Sequence, residues 1–120
     1  MKVANPTAKR GEDLAFEYLK RRGYRVIERN FRIRYGEIDI VAIEYRTLVF
    51  IEVKTRTTDD FGSPFEAITP WKLKQLIRSV QYYKLTHPNL PDQLRIDAIA
   101  VTIKPSGASF VELIKNISGF

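Results

Sequence analysis

The sequence predicts an α/β domain of three layers, with a central mixed sheet and a helix packed on each face. Three observations predict it. The elements legible along the 120 residues run helix, three strands, helix, two strands. The central strand segments are so rich in Ile, Val and Leu that both faces of the sheet need a cover. Composition agrees: 44% hydrophobic and 28% charged residues allow a packed core without metal clips or staples, and the length suits one domain over residues 1–120.

Residues 7 to 22 read as a helix entered through Asn5-Pro6-Thr7 and left at Gly23, with Lys20, Arg21 and Arg22 in the last turn. At about 100° per residue, Ala8, Glu12, Ala15, Phe16 and Leu19 share a face. Glu12 lies in the middle of that stripe. It either snorkels out or points inward at a group that neutralises it. Tyr24 to Ile33 reads as a strand, and Tyr35-Gly36 as a turn. Glu37 to Glu44 and Thr47 to Thr55 are stronger strands forming a hairpin about Tyr45-Arg46, a pair that lacks the Gly or Asn of a tight turn. Pairing Glu44 with Thr47 and stepping back along both strands sets Asp39 opposite Glu52.

Residues 56 to 68 read as a loop, with turn chemistry from Asp59, Asp60, Gly62, Ser63 and Pro64. Thr69-Pro70 then opens a helix to about Leu85 whose core face is Leu73, Leu76, Ile77 and Val80. Its other side carries Trp71, Gln75, Arg78 and Tyr82, read first as packing or plain surface and alternatively as a contact for nucleic acid. Leu94 to Ile103 is a strand with the single acid Asp97. Lys104-Pro105-Ser106-Gly107 turns it into a final edge strand, Ser109 to Lys115.

Charge narrows the function. Twenty Lys and Arg against 14 Asp and Glu give +6, which favours a polyanionic partner, nucleic acid first. The excess is all at the front: residues 1 to 36 hold ten cations and four acids, and the remainder is neutral. Residues 37 to 66 carry seven acids (Glu37, Asp39, Glu44, Glu52, Asp59, Asp60, Glu66) against Arg46, Lys54 and Arg56. The absence of Cys removes disulfides, thiolate nucleophiles and sulfur-bound zinc. The lone His87, in His87-Pro88-Asn89-Leu90-Pro91, reads as a solvated loop residue. No apolar stretch approaches the roughly 20 residues of a membrane helix, so a soluble, cytoplasmic protein with no membrane partner is expected.

The chemistry concentrates in Phe50-Ile51-Glu52-Val53-Lys54. Residues two apart in a strand share a face, so Glu52 and Lys54 project together, and the hairpin register adds Asp39. Two carboxylates in an apolar sheet repel one another and need a cation. Lys54 offers one charge and a divalent metal two. Hard oxygen ligands suit magnesium, with one or two protein carboxylates and substrate phosphate. Such a metal, held by Asp39 and Glu52, would stabilise charge at phosphorus and activate water, Lys54 would position that water or neutralise charge, and Glu12 would add a ligand if it points inward. An ordinary buried Asp–Lys pair is the alternative, but it would leave Glu52 without a partner.

Gly36-Glu37-Ile38-Asp39-Ile40-Val41-Ala42, followed by Val49-Phe50-Ile51-Glu52-Val53-Lys54-Thr55-Arg56, resembles the YraN-like family of small bacterial proteins. That family belongs with the restriction-endonuclease-like, PD-(D/E)xK nucleases and is similar to archaeal Holliday junction resolvases. The resemblance extends from the Gly11-Glu12 helix through Trp71-Lys72-Leu73-Lys74-Gln75 to Arg95-Ile96-Asp97. It implies a restriction-endonuclease-like αβββαβ core and Mg²⁺- or Mn²⁺-dependent cleavage of DNA, with branched or flapped DNA as the implied substrate. Asp39, Glu52 and Lys54 match the catalytic acid, acid and lysine. Glu12 matches the extra helix acid of resolvase-type members, and Gln75 falls where some relatives place a functional glutamine. Ile38 stands where the pattern has proline, which is not a ligand.

The expected function is a metal-dependent endodeoxyribonuclease, with Asp39, Glu52 and Glu12 on the metal and Lys9, Arg10, Arg32, Arg34, Arg56 and Gln75 on nucleic acid. Symmetric junction cleavage would require a homodimer. The alternatives are a non-catalytic nucleic-acid-binding module of the same fold, or an interaction protein docking through Trp71 and Tyr82.

Overall fold

The computed structural model describes residues 5–34, 36–57 and 64–119. Helix α1 (Pro6–Arg21) begins where the Asn5 side chain accepts the N–H groups of Thr7 and Ala8 at 3.0 and 3.3 Å, with Pro6 in the first turn. Gly23, at φ 87°, turns the chain into strand β1 (Arg25–Ile33). Strands β2 (Gly36–Glu44) and β3 (Thr47–Arg56) follow antiparallel. A short 3-10 turn, Pro64–Ala67, leads to helix α2 (Pro70–Thr86), whose first turn is capped by the Thr69 hydroxyl accepting the Lys72 N–H at 3.1 Å. Strand β4 (Gln93–Ile103) lies parallel to β3, and β5 (Ser109–Ile114) closes the sheet antiparallel to β4. The strand order β1-β2-β3-β4-β5 makes β5 an edge, as expected, and the single parallel pair makes the sheet mixed.

Alternation along β3 separates the two core layers. Val49 and Ile51 pack with Ala15 and Leu19 of α1, together with Ile40, Ala42, Ile99 and Val101. Leu48 and Phe50 pack with Leu76, Val80 and Tyr83 of α2, together with Ile38, Val41 and Ile96. One helix therefore covers each face, the predicted α/β/α arrangement. Each fully buried Leu, Ile or Phe contributes about 1.5–3 kcal/mol by leaving water, so the layers dominate stability.

Local differences have physical causes. Ala8 is exposed, and the buried stripe of α1 starts instead at Gly11. A Cβ at Gly11 would stand 2.0 Å from Thr55 Oγ1: the helix backbone rests on the Thr55 side chain of β3, and no second side chain fits there. On α2, Ser79 and Tyr83 are buried, whereas Leu73 and Ile77 are only partly so. Ser79 satisfies its hydroxyl on the Gln75 carbonyl at 3.1 Å, and Tyr83 donates to Glu28 at 2.9 Å, which lets both polar groups enter the interior. His87 is not a solvated loop residue. It caps α2, stacks on Tyr83 at 3.9 Å and bonds the Tyr83 carbonyl through Nδ1 at 2.9 Å. The hairpin turn has two residues, with Tyr45 at φ 55° taking the left-handed conformation in the absence of Gly. The turn residues Tyr35, Asp59, Asp60, Gly62 and Ser63 lie outside the described residues.

A buried polar network ties the hairpin end of the sheet together. Asp97, fully buried, accepts from Tyr24 Oη at 2.9 Å, Arg95 Nε at 2.8 Å and the Asn116 N–H at 2.9 Å. Arg95 also reaches Glu44 at 2.6 Å, which Lys115 joins at 3.0 Å. Among the described residues, no helix is long and apolar enough to cross a membrane.

Candidate active site

The β2–β3 ladder pairs Glu44 with Thr47 and proceeds in the expected register to Ile40 and Ile51. It ends one step short of Asp39 and Glu52. There the Asp39 side chain replaces a backbone acceptor: Oδ2 takes the Val53 N–H at 2.8 Å. The alternation of β2 breaks at the same point. Ile38 packs on the α2 side and Ile40 on the α1 side, although two residues apart in a regular strand share a face. Opposite the break stands Asn30, which lies between Arg29 and Phe31, the partners of Ile40 and Ile38, and has φ 57°. The sheet is thus locally opened around the Asp39 carboxylate.

Glu52 projects from the α2 face of β3, as its even-numbered neighbours do, and is only 5% exposed. Lys54 Nζ stands 3.8 Å from its Oε1 and Lys72 Nζ, from α2, 3.8 Å from its Oε2. These distances are too long for hydrogen bonds, and buried Oε2 has no hydrogen-bond partner. Asp39 feels the same imbalance. Burial, and then the charge of Glu52, push its pKa up to about 8; the Val53 N–H opposes them, while Glu37 and Glu12 add to the rise.

A buried carboxylate oxygen that bonds to neither flanking ammonium, beside a second carboxylate, is a donor set without a bonded partner. Both ligands are hard oxygens, which fits a magnesium- or manganese-type cation. Among the described residues no three His, Asp or Glu side chains form a ready cage, so Asp39 and Glu52 would leave the remaining positions to water and substrate. Glu12 points inward, the second of the two readings its place in the stripe allowed. Its Oε1 accepts from Arg29 Nε at 3.2 Å and Asn30 Nδ2 at 3.0 Å, so the Arg29 guanidinium neutralises it and the Asn30 amide adds an uncharged hydrogen bond.

Glu12, Arg29, Asn30, Asp39 and Lys54 line one groove of about 760 Å³, with Lys9 and Arg32 also on its walls. The front-end charge is partly engaged within the fold. Lys9 pairs with Asp13 at 3.0 Å, Arg29 with Asp13 at 2.7 Å, and Arg32 with Glu37 at 3.7 Å. Arg29 depresses the Asp13 pKa, with help from Lys9. Arg10 points elsewhere, donating to the Gly107 carbonyl at 2.7 Å beside a second cavity. Arg34 is exposed, Arg56 donates to Thr102 Oγ1 at 3.3 Å, and Gln75 is half-buried one turn after Lys72. The structure therefore brings Asp39, Glu52 and Lys54 together, sets Glu12, Lys9 and Arg32 on the adjoining groove, and leaves Arg10 apart. Lys72, beside Glu52, and Arg29 and Asn30, which hold Glu12, were not legible as neighbours of this cluster. Asn30 carried a faint signal, a poor strand former inside a strand; nothing distinguished Lys72 from other helix lysines.

The family model described as "Uncharacterised protein family UPF0102" matches residues 11–101. A UPF0102 protein of Geobacter sulfurreducens is 48% identical over 107 residues, covering 89% of this chain and 84% of its own. One from Chlorobium limicola is 50% identical over 93 residues, covering 78% and 72%. Among solved structures, the EndoMS-dsDNA2 complex aligns with a TM-score of 0.50 at 17% identity, over 80% of this chain and 36% of that one. A repair endonuclease from Pyrococcus abyssi aligns at 0.48 and 21% identity, over 89% and 42%. The chain spans less than half of either structure, and the EndoMS likeness is one of fold.

Proposed function

The chain belongs to the UPF0102 family, and from the buried carboxyl pair Asp39 and Glu52 we propose that it is a metal-dependent endonuclease hydrolysing phosphodiester bonds in DNA. The observation that carries this reading is the buried Glu52 Oε2 without a hydrogen-bond partner. A group so placed is costly unless a partner at bonding distance completes it, which Lys72 at 3.8 Å does not. Asp39 and Glu52 would hold that cation, which when bound supplies Lewis acidity toward a phosphate oxygen and toward water. Asp39 is fixed for the task by the Val53 N–H. Lys54, on the groove wall and beside Glu52, would carry positive charge to the scissile phosphate. Lys9 and Arg32 would steer the flanking backbone. Glu12, held by Arg29 and Asn30, stands close enough to raise the Asp39 pKa and would contribute as a further acid if Arg29 turns to phosphate. The fold shared with EndoMS, a protein seen with double-stranded DNA, supports DNA as the substrate. Branched or flapped DNA is the proposed form.

The test is incubation with linear, flapped and four-way DNA in magnesium or manganese, and in chelator. Metal-dependent cutting of at least one substrate is expected, abolished by Glu52→Gln and by Lys54→Ala while DNA binding persists. No cutting of any substrate would reject the reading. A non-catalytic DNA-binding module is the second reading. It is favoured by the Lys54 and Lys72 ammonium groups that already flank Glu52 at 3.8 Å, and binding without measurable metal affinity would select it.

A further inference from the structure

We propose that the solvent face of α2 is a binding platform for single-stranded DNA, an unpaired segment lying along the helix and leading to Glu52. Its binding chemistry is independent of the nuclease reading; only its role in presenting substrate rests on that reading. Trp71, Lys74, Arg78 and Tyr82 fall within about 80° of one another on α2, at about 100° per residue, and extend about 16 Å along its axis. All four are exposed, Trp71 at 69% and Tyr82 at 49% of their surfaces.

Trp71 and Tyr82 hold aromatic faces open to solvent on which a flat ring can stack. The charge of this helix selects the occupant. Its solvent face carries Lys74 and Arg78, and the helix holds no acid, which suits a polyanion better than an apolar protein partner. Aromatic faces interleaved with cations match a strand of unpaired nucleotides, whose bases stack while the phosphates pair with Lys and Arg. Bases inside a duplex are already stacked on each other and offer no face to Trp71 or Tyr82. The platform is also joined to the site. Lys72, next to Trp71 in the first turn, is the residue whose Nζ stands 3.8 Å from Glu52 Oε2.

Trp71 is the sole tryptophan of the chain, so its emission reads this face alone. The full protein, in chelator so that no cutting occurs, is titrated with a short oligothymidine and with duplex DNA of equal length. Quenching by the single strand, weaker quenching by the duplex and reversal by salt are expected. Binding of a labelled oligothymidine, followed by anisotropy, should weaken about tenfold in Trp71→Ala and in Tyr82→Ala, and further in a Lys74→Glu, Arg78→Glu double variant. Circular dichroism should show all of these surface variants folded. Unchanged emission with the single strand, equal quenching by duplex, tighter binding of oligouridine, or unchanged affinity in Trp71→Ala would each overturn the proposal. Because the titration needs no metal, it can succeed where cutting fails, and cutting of duplex DNA can persist where it fails.

Discussion

Lys72 Nζ stands 3.8 Å from Glu52 Oε2, the buried oxygen that lacks a hydrogen-bond partner. With Lys54 at 3.8 Å from Oε1, the carboxylate lies between two ammonium groups and hydrogen-bonds to neither. Both lysines occupy charge-compensating positions that a divalent cation would contest. Replacing Lys72 with Met keeps the length of the arm and removes its charge, so manganese affinity without DNA should rise, by about tenfold for a charge pair at this range. Glu52→Gln should abolish manganese binding. Calorimetric titration checks both, and weaker metal binding in Lys72→Met would show that the ammonium supports the site rather than competing for it.

Asp39 gives the metal-free protein a pH dependence. Its pKa, about 8 in the fold, lies far above the ordinary carboxylate value of 3.8. Between those values the folded chain holds a proton that the unfolded chain has released, so stability falls as pH climbs from about 4 to about 8. Asp39→Asn removes the charge and keeps a carbonyl oxygen to accept the Val53 N–H. In chelator this variant should be more stable than wild type at pH 8, by about 1 kcal/mol or more, with the gap closing toward pH 4. Urea melts at several pH values measure it, and a gap that widens on acidification would contradict the burial and Glu52 repulsion that hold Asp39 protonated.

The contact of Gly11 with Thr55 sets the approach of α1 to β3. A Cβ at Gly11 would lie 2.0 Å from Thr55 Oγ1 and 2.8 Å from Thr55 Cβ, so rotation of the threonine cannot relieve the overlap. Gly11→Ala should lose about 1–3 kcal/mol despite the better helix propensity of alanine. It should also displace Glu12, the next residue, from Arg29 and Asn30. Thermal melts should show Thr55→Gly in the same chain recovering more stability than Thr55→Ala, because only glycine removes the Cβ that is struck.

The hairpin register and the grouping of Glu52 with Lys54 were legible because both follow from strand geometry: an even turn fixes the pairing, and period two fixes the face. The placement of Asp39 beside Glu52 was legible, but its manner of arrival was not. The ladder stops before the Asp39–Glu52 pair, and Asp39 enters through a break in alternation opposite a left-handed Asn30, a feature of two strands together. Gly11 was invisible to a reading of apolar side chains because its contribution is the lack of one. The net charge of the front end was countable, and Lys9–Asp13 is local, four apart on α1, yet which other cations remain to meet a ligand depends on the α1 packing that brings Arg29 to Asp13 and on the β1–β2 pairing that brings Arg32 to Glu37. Lys72 reaches Glu52 only because α2 packs on the face of β3 from which Glu52 projects.

Asp97 tests whether the polar network at the other end of the sheet is structural alone. It has no solvent exposure and receives Tyr24, Arg95 and the Asn116 N–H, so its charge is fully hydrogen-bonded. Asp97→Ala would leave the Tyr24 hydroxyl and the Asn116 N–H without their acceptor and Arg95 with Glu44 as its remaining acid. Removing one member of a buried ion pair costs about 3–5 kcal/mol, and the surviving Glu44 contact places this loss near about 3 kcal/mol. The network joins β2, β4 and the segment after β5, while the groove is built from α1, β1, β2 and β3. Below its lowered melting temperature the variant should therefore keep wild-type manganese affinity and DNA affinity. Urea denaturation and metal titration on the same preparation separate the two effects, and a loss of metal affinity in the folded variant would show that the network also shapes the site.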